Sequence, residues 1–401
     1  MISQYDEFPV HQSPHPFAQI PVTDYAWNEG YFFGLYNADE GVFFFSGMRV
    51  NPNTDMIGAY AGVGVRGRQY TTRFSRPWRA CVDTRIGPLS YEFLEPLRTI
   101  RLALADNDSD LTFDFRWIGV GAVYEEPHHL AESRGRRVAD LTRYYQSGTA
   151  EGWLQLGDER FEFGQGEWWG SRDHSWGIYL QRAPLVPEAK WLPPPEQAAT
   201  RRGLRWASWW GGAEHSGFFS VHESEDGEQV PMNDVFGTPL EGGIDFGAGR
   251  PPLKIVEARH EMAFHPGTRV LTQATWHLTD ADGCCWKQVY EVRPGGWNPA
   301  TIGYRPGSWK DGGSMFTYHG VDGVVQEWDD FDFSAVTYDH TMYDGTVLRD
   351  THSLEYLVKV TTTAPDGSTS SGHGQAEVFI TRYTPYGFGT DPADGAPGQG
   401  S

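Results

Sequence analysis

Apolar and polar positions along this chain change in short runs punctuated by turn residues, with no sustained helical period. Aromatic-rich runs at 31–36 and 42–49 flank the polar stretch Asn37-Ala38-Asp39-Glu40-Gly41 and so predict a hairpin. Further strands are predicted at 60–66, 69–74, 100–104, 111–123, 141–156 and 161–167. The best helical fragment, around 129–136, is short and polar. A proline-rich stretch at 184–195 includes consecutive Pro193, Pro194 and Pro195, and a second set of strands follows at 204–211, 217–222, 255–264, 269–279, 284–292, 354–363 and 375–383. Two successive antiparallel meanders without crossover helices predict an all-β protein of two tandem antiparallel β-barrels packed side by side. The predicted organisation is a strap over 1–30, a first barrel over 31–190, a second over 200–388 and a disordered tail over 389–401.

Composition narrows the function classes. The 48 glycines and 26 prolines are spread along 401 residues, and 14% of residues are aromatic, which suits strands and turns. Lys plus Arg (32) against Asp plus Glu (53) gives a net charge of −21, a field that repels phosphate backbones and anionic membranes, so nucleic acid is excluded as a partner. The first residues lack the basic start and apolar core of a signal peptide, and no apolar run is long enough to span a bilayer. These features predict a soluble cytoplasmic protein.

No metal and no cofactor are expected. Cys81, Cys284 and Cys285 are too few for a disulfide framework or a Cys-rich zinc site and are expected as buried, reduced thiols. His128 and His129 beside Glu125 and Glu126 read as a surface turn, and His260, Glu261 and His265 do not share a strand face. Asp329, Asp330 and Asp332 lack the glycine and terminal glutamate of an EF-hand loop. The glycines at 62, 64 and 67 sit in a strand rather than a phosphate-binding turn.

The candidate chemistry is concentrated at 166–182, where a carboxylate, an imidazole, a guanidinium and three indoles stand together. In an extended segment Arg172, His174 and Trp176 share one face with Trp168, while Asp173 and Ser175 share the other. Asp173 and His174 could meet in one cavity only through a bulge at 171–173, which Gly170 and Ser171 favour. Without it, His174 faces the cavity and Asp173 braces the strand. Trp168, Trp169, Trp176, Tyr179, Trp206, Trp209 and Trp210 are candidates for an aromatic substrate wall, and each also fits a core-filling role.

At Arg143-Tyr144-Tyr145-Gln146-Ser147-Gly148 and at Trp169-Gly170-Ser171-Arg172-Asp173-His174-Ser175-Trp176-Gly177 the chain resembles the tandem lipocalin-like family around carotenoid 1,2-hydratase, which includes kievitone-hydratase-like proteins. The endings Gly372-His373-Gly374-Gln375-Ala376-Glu377 and Tyr383-Thr384-Pro385-Tyr386-Gly387-Phe388 also resemble that group, so the likeness spans about 25–388. Relatives often carry Asn or Gln where Ser175 stands. The resemblance implies lipocalin-like barrels with an apolar cavity near the Asp-His segment. It also implies hydration or cyclisation of isoprenoid or polyketide alkenes without an organic cofactor, with Asp173 and His174 as the acid–base pair. Arg172 lies outside the shared motif; its chemistry fits an oxyanion or carboxylate clamp.

Two function classes follow. One is a cofactor-independent lyase, hydratase, isomerase or cyclase acting on a hydrophobic small molecule, and the other is a lipocalin-like carrier of such a molecule. A carrier gains little from burying three ionisable groups, which favours the enzyme.

Overall fold

A computed structural model describes residues 2, 4–7, 9, 11 and 13–389, except 81, 134, 165, 180–202, 232–237, 248–250, 305, 346 and 350–352. The predicted linker, the tail from 390 and Cys81 lie outside the described residues. Among those described, helix is confined to short 3-10 turns, and no helix is long and apolar enough to cross a membrane.

The first sheet contains β1 (Trp27–Asn37), β2 (Val42–Asn51), β3 (Met56–Val65), β4 (Arg68–Pro77), β5 (Leu89–Glu95), β6 (Thr99–Leu104), β7 (Leu111–Gly119), β8 (Arg136–Leu156) and β9 (Trp169–Tyr179). Neighbouring strands run antiparallel in the order β4-β3-β2-β1-β9-β8-β7-β6-β5. The sheet curls into a barrel without closing its hydrogen-bond ladder. Arg76 on β4 bridges the gap by donating to the Arg85 carbonyl at 2.9 Å. Local chemistry fixes the hairpins. Asn37 Oδ1 accepts from the Asp39 and Glu40 amides between β1 and β2, and Arg66 and Gly67, both at positive φ, make the two-residue turn between β3 and β4. The segment around 129–136 is not helical: His129–Ser133 is a strand paired with the start of β8, whose open edge supplies its backbone partners.

The second barrel closes through β10 (Leu204–Gly212), β11 (Ser216–Glu223), β12 (Leu240–Asp245), β13 (Leu253–Phe264), β14 (Leu271–Asp280), β15 (Cys285–Trp297), β17 (Ser353–Thr363) and β18 (Thr369–Ile380). One strand leaves it. β16 (Val325–Asp332), inside the range expected for the second barrel, pairs with β4 and extends the first sheet. Arg68 and Arg73 on β4 explain the choice, because they pair with Asp330, Asp332, Glu327 and Asp329. Cys284 and Cys285 are exposed, not buried, because they fall at the β14–β15 turn.

The two halves share an apolar seam. β2 is buried on both faces, as its near-continuous apolar sequence requires. Phe44 points into the first core, whereas Phe43 and Phe45 pack outward against Trp297, which stacks on Phe45 at 4.3 Å. Backbone approach is close: a Cβ at Gly64 would lie 2.0 Å from the Gly295 carbonyl.

Candidate active site

β9 keeps an unbroken register. Its residues pair one for one with β1 and β8, and no register shift occurs at 171–173. The bulge that would have brought Asp173 and His174 into one cavity is absent, so neighbours take opposite faces. Tyr31, His174 and Tyr144 form one cross-strand row and Phe33, Arg172 and Gln146 the next, both on the barrel interior. Phe32, Asp173 and Tyr145 form the intervening row on the seam.

The interior rows build a hydrogen-bonded chain. Arg172 Nε donates to Gln146 Oε1 at 3.0 Å, and Nη1 donates to the Tyr144 hydroxyl at 3.2 Å. That hydroxyl lies 3.3 Å from His174 Nδ1, and His174 Nε2 lies 2.9 Å from Glu29 Oε1. Tyr31 stacks on the imidazole at 4.2 Å, with Trp176 tilted against it at 5.1 Å. The guanidinium lies over Trp117 at 5.3 Å and Tyr144 at 5.1 Å. Two glycines make that place for Trp117, since a Cβ at Gly148 or Gly170 would come within 2.2 or 3.3 Å of its indole. Arg172 is 1% exposed and Trp176 37%, so the row climbs from the core to the solvent-facing end of the barrel, its mouth.

Across the strand, the Asp173 carboxylate acts on the buried guanidinium groups of Arg49 and Arg143. Arg143 Nε donates to Glu126 at 2.8 Å, and His129 bonds the same oxygen at 2.8 Å. His129 is therefore buried, not part of a surface turn. Burial pulls the Glu126 carboxyl up, but Arg143 and His129 outweigh it and hold it at about 2. Tyr145 stacks on Phe218 of the second barrel at 4.4 Å.

The facing wall carries Glu355 and Glu377, directly opposite each other on β17 and β18. Glu377 pairs with Arg205 at 2.8 Å, and Glu355 accepts from Gln375 at 2.7 Å. Burial, then the charge of Glu377, push the Glu355 carboxyl well above its ordinary value. The proton held by Glu355 stabilises the fold at low pH, and this contribution is lost as pH rises through the raised value. Glu355→Gln is thus expected to be more stable than wild type by about 1 kcal/mol or more near pH 7.5, and equal to it near pH 4.5. Thermal melts across that range would show the difference; a constant offset would show that Glu355 is ionised in the fold.

The structure brings Arg172, His174 and Trp176 together and disperses the other predicted residues. Trp168 is buried in the first core, 4.6 Å from Phe163. Tyr179 is buried at the end of β9. Trp169 and Trp209 lie on the seam, Trp169 against Gly211 and Trp209 against Tyr145. Trp206 and Trp210 fill the second barrel. Sequence reading missed Glu29, Tyr31, Tyr144 and Gln146 as site residues. Tyr144 and Gln146 stand two apart within the 143–148 motif, a signal that they share a face.

His260 also has partners that sequence spacing did not show. It bonds Glu223 at 3.1 Å and Tyr386 at 2.8 Å, while the Tyr383 hydroxyl bonds Glu223, so the C-terminal segment is fastened to the second barrel. A cleft of about 430 Å³ near His265, Arg293 and Tyr338 holds none of the predicted site residues. Among the described residues no group of three or more His, Cys, Asp or Glu is arranged to hold a metal ion.

Fold and site together define an all-β, two-barrel protein with a polar chain at the mouth of one barrel. It belongs to a family of unknown function (DUF8625), whose profile matches residues 2–389. No curated protein matches it. Among solved structures it is similar to CghA with Sch210972, at 11% identity over 89% of each chain and a TM-score of 0.43. It is also similar to kievitone hydratase from Nectria haematococca, at 9% identity over 88% of each chain and a TM-score of 0.41.

Proposed function

We propose that this protein is a cofactor-independent lyase, hydratase, isomerase or cyclase that acts by acid–base chemistry on a hydrophobic small molecule at the mouth of the first barrel. The observation that carries this reading is the chain Glu29, His174, Tyr144, Arg172, which links a half-exposed carboxylate to a buried guanidinium through two proton-carrying groups. With a proton on each ring nitrogen, His174 donates from Nε2 to Glu29 and from Nδ1 to Tyr144. With Arg172 Nη1 and His174 Nδ1 both donating to its oxygen, the phenol's own hydrogen is directed away from both. It is then placed for transfer to substrate, and His174 resupplies it. Water or an internal nucleophile completes addition or ring closure, and the imidazole takes the proton back. Asp173, on the far face, takes no part in the proton chain and serves the fold as a counter-charge to Arg49 and Arg143.

The test is incubation with a panel of isoprenoid and polyketide alkenes, followed by chromatography and mass spectrometry. Gain or loss of one water, or rearrangement at constant mass, supports the enzyme. If the wild-type protein retains an alkene and returns it unchanged across the panel, the carrier is the better reading.

A further inference from the structure

Four arginines are buried in the described structure: Arg49, Arg73, Arg143 and Arg172. Arg73 pairs with Glu327 and Asp329, and Arg143 pairs with Glu126. Arg49 has neutral hydrogen-bond partners, Asn28 and Tyr304, but is under the charge of Asp173. Arg172 differs. Its hydrogen-bond partners, Gln146 and Tyr144, are neutral, and the rings of Trp117 and Tyr144 flank it. Its Nη2 group has no hydrogen-bond partner among the described residues. Aromatic faces offset part of the desolvation cost but provide no counter-charge.

The surrounding interior has the same polarity. The indole N–H groups of Trp117 and Trp168, both fully buried, also lack acceptors among the described residues. These unmet groups are donors only. A group that satisfies them must bring acceptor oxygens, and one that neutralises the guanidinium must bring negative charge. A carboxylate does both, and the planar fork of arginine suits it.

We infer that the ligand of the first barrel is an apolar molecule bearing a carboxylate, with Arg172 as the carboxylate's anchor and Gln146 and Tyr144 as the residues that position the guanidinium. The inference rests on the first barrel being the substrate site. Nη2 is covered, so the rim must open to admit the ligand; Trp176, 37% exposed, is the ring with solvent to turn into. A carboxylate seated there lies next to the Tyr144 hydroxyl, which places the adjoining carbons within the reach of the proton chain.

Binding tests this without turnover. Tryptophan fluorescence or calorimetry is used to compare dodecanoate, methyl dodecanoate and dodecanol. The wild-type protein is expected to prefer the carboxylate by about 10-fold or more over both neutral chains. Arg172→Met is expected to lose the preference and Arg172→Lys to keep part of it. Equal affinity of wild type for the three probes, no binding of dodecanoate, or a preference that survives in folded Arg172→Met would overturn the inference. Carboxylate preference in a protein that transforms no alkene would retire the enzyme reading alone; turnover without the preference would retire this inference alone.

Discussion

Replacing His174 with alanine is expected to lower turnover by about 10²–10⁴-fold, the usual contribution of a positioned acid–base group, while the protein stays folded. The imidazole sits near the mouth and its side chain is 16% exposed. Its hydrogen bonds to Glu29 and Tyr144 are each worth about 1 kcal/mol of stability or less. Tyr144→Phe removes the proton that the proposed mechanism delivers and should match the loss in turnover. Glu29→Gln acts one step further away and should cost less. Asp173→Asn should do the reverse of His174→Ala: turnover changes little, but the melting temperature falls because Arg49 and Arg143 lose a counter-charge on a packed face. Rate and melting measurements on the same preparations separate the cases. Loss of turnover at unchanged stability in Asp173→Asn, with His174→Ala active, would move the chemistry to the seam.

Local pattern made much of the fold legible. Alternation and turn chemistry located the hairpin around Asn37–Gly41, the close of the second barrel and the two-block organisation, because these depend on residues near in sequence. Period-two reasoning also placed Arg172, His174 and Trp176 on one face. What stayed hidden depends on which strands meet. Glu29 reaches His174 only because β1 pairs with β9, a contact between residues 145 apart. Gly170 and Ser171 invited a bulge, yet the register is unbroken, because Gly170 serves another purpose: it lets the Gly34 carbonyl and Trp117 approach. His129 and His260 looked idle for the same reason, since Arg143 with Glu126, and Tyr386 with Glu223, are supplied by other elements.

The acidic run at 327–332 shows how a local feature takes its meaning from a distant strand, and it carries the largest stability effect. Arg73 is fully buried on β4, where Nη1 donates to the Thr301 carbonyl at 3.0 Å and Nη2 bonds Glu327 at 3.0 Å and also Asp329. Trp309 flanks the guanidinium at 5.6 Å. This one side chain ties β16, contributed by the second half of the sequence, to the edge of the first sheet. Arg73→Met should keep the volume while leaving two largely buried carboxylates without their cation, a change that costs about 3–5 kcal/mol when one member of a buried pair is removed. The denaturant midpoint should fall accordingly, and adding Asp329→Asn to Arg73→Met should recover part of the loss by removing one stranded charge. A midpoint unchanged in Arg73→Met would mean that β16 is held by its backbone ladder and that the acidic run is merely tolerated beside it.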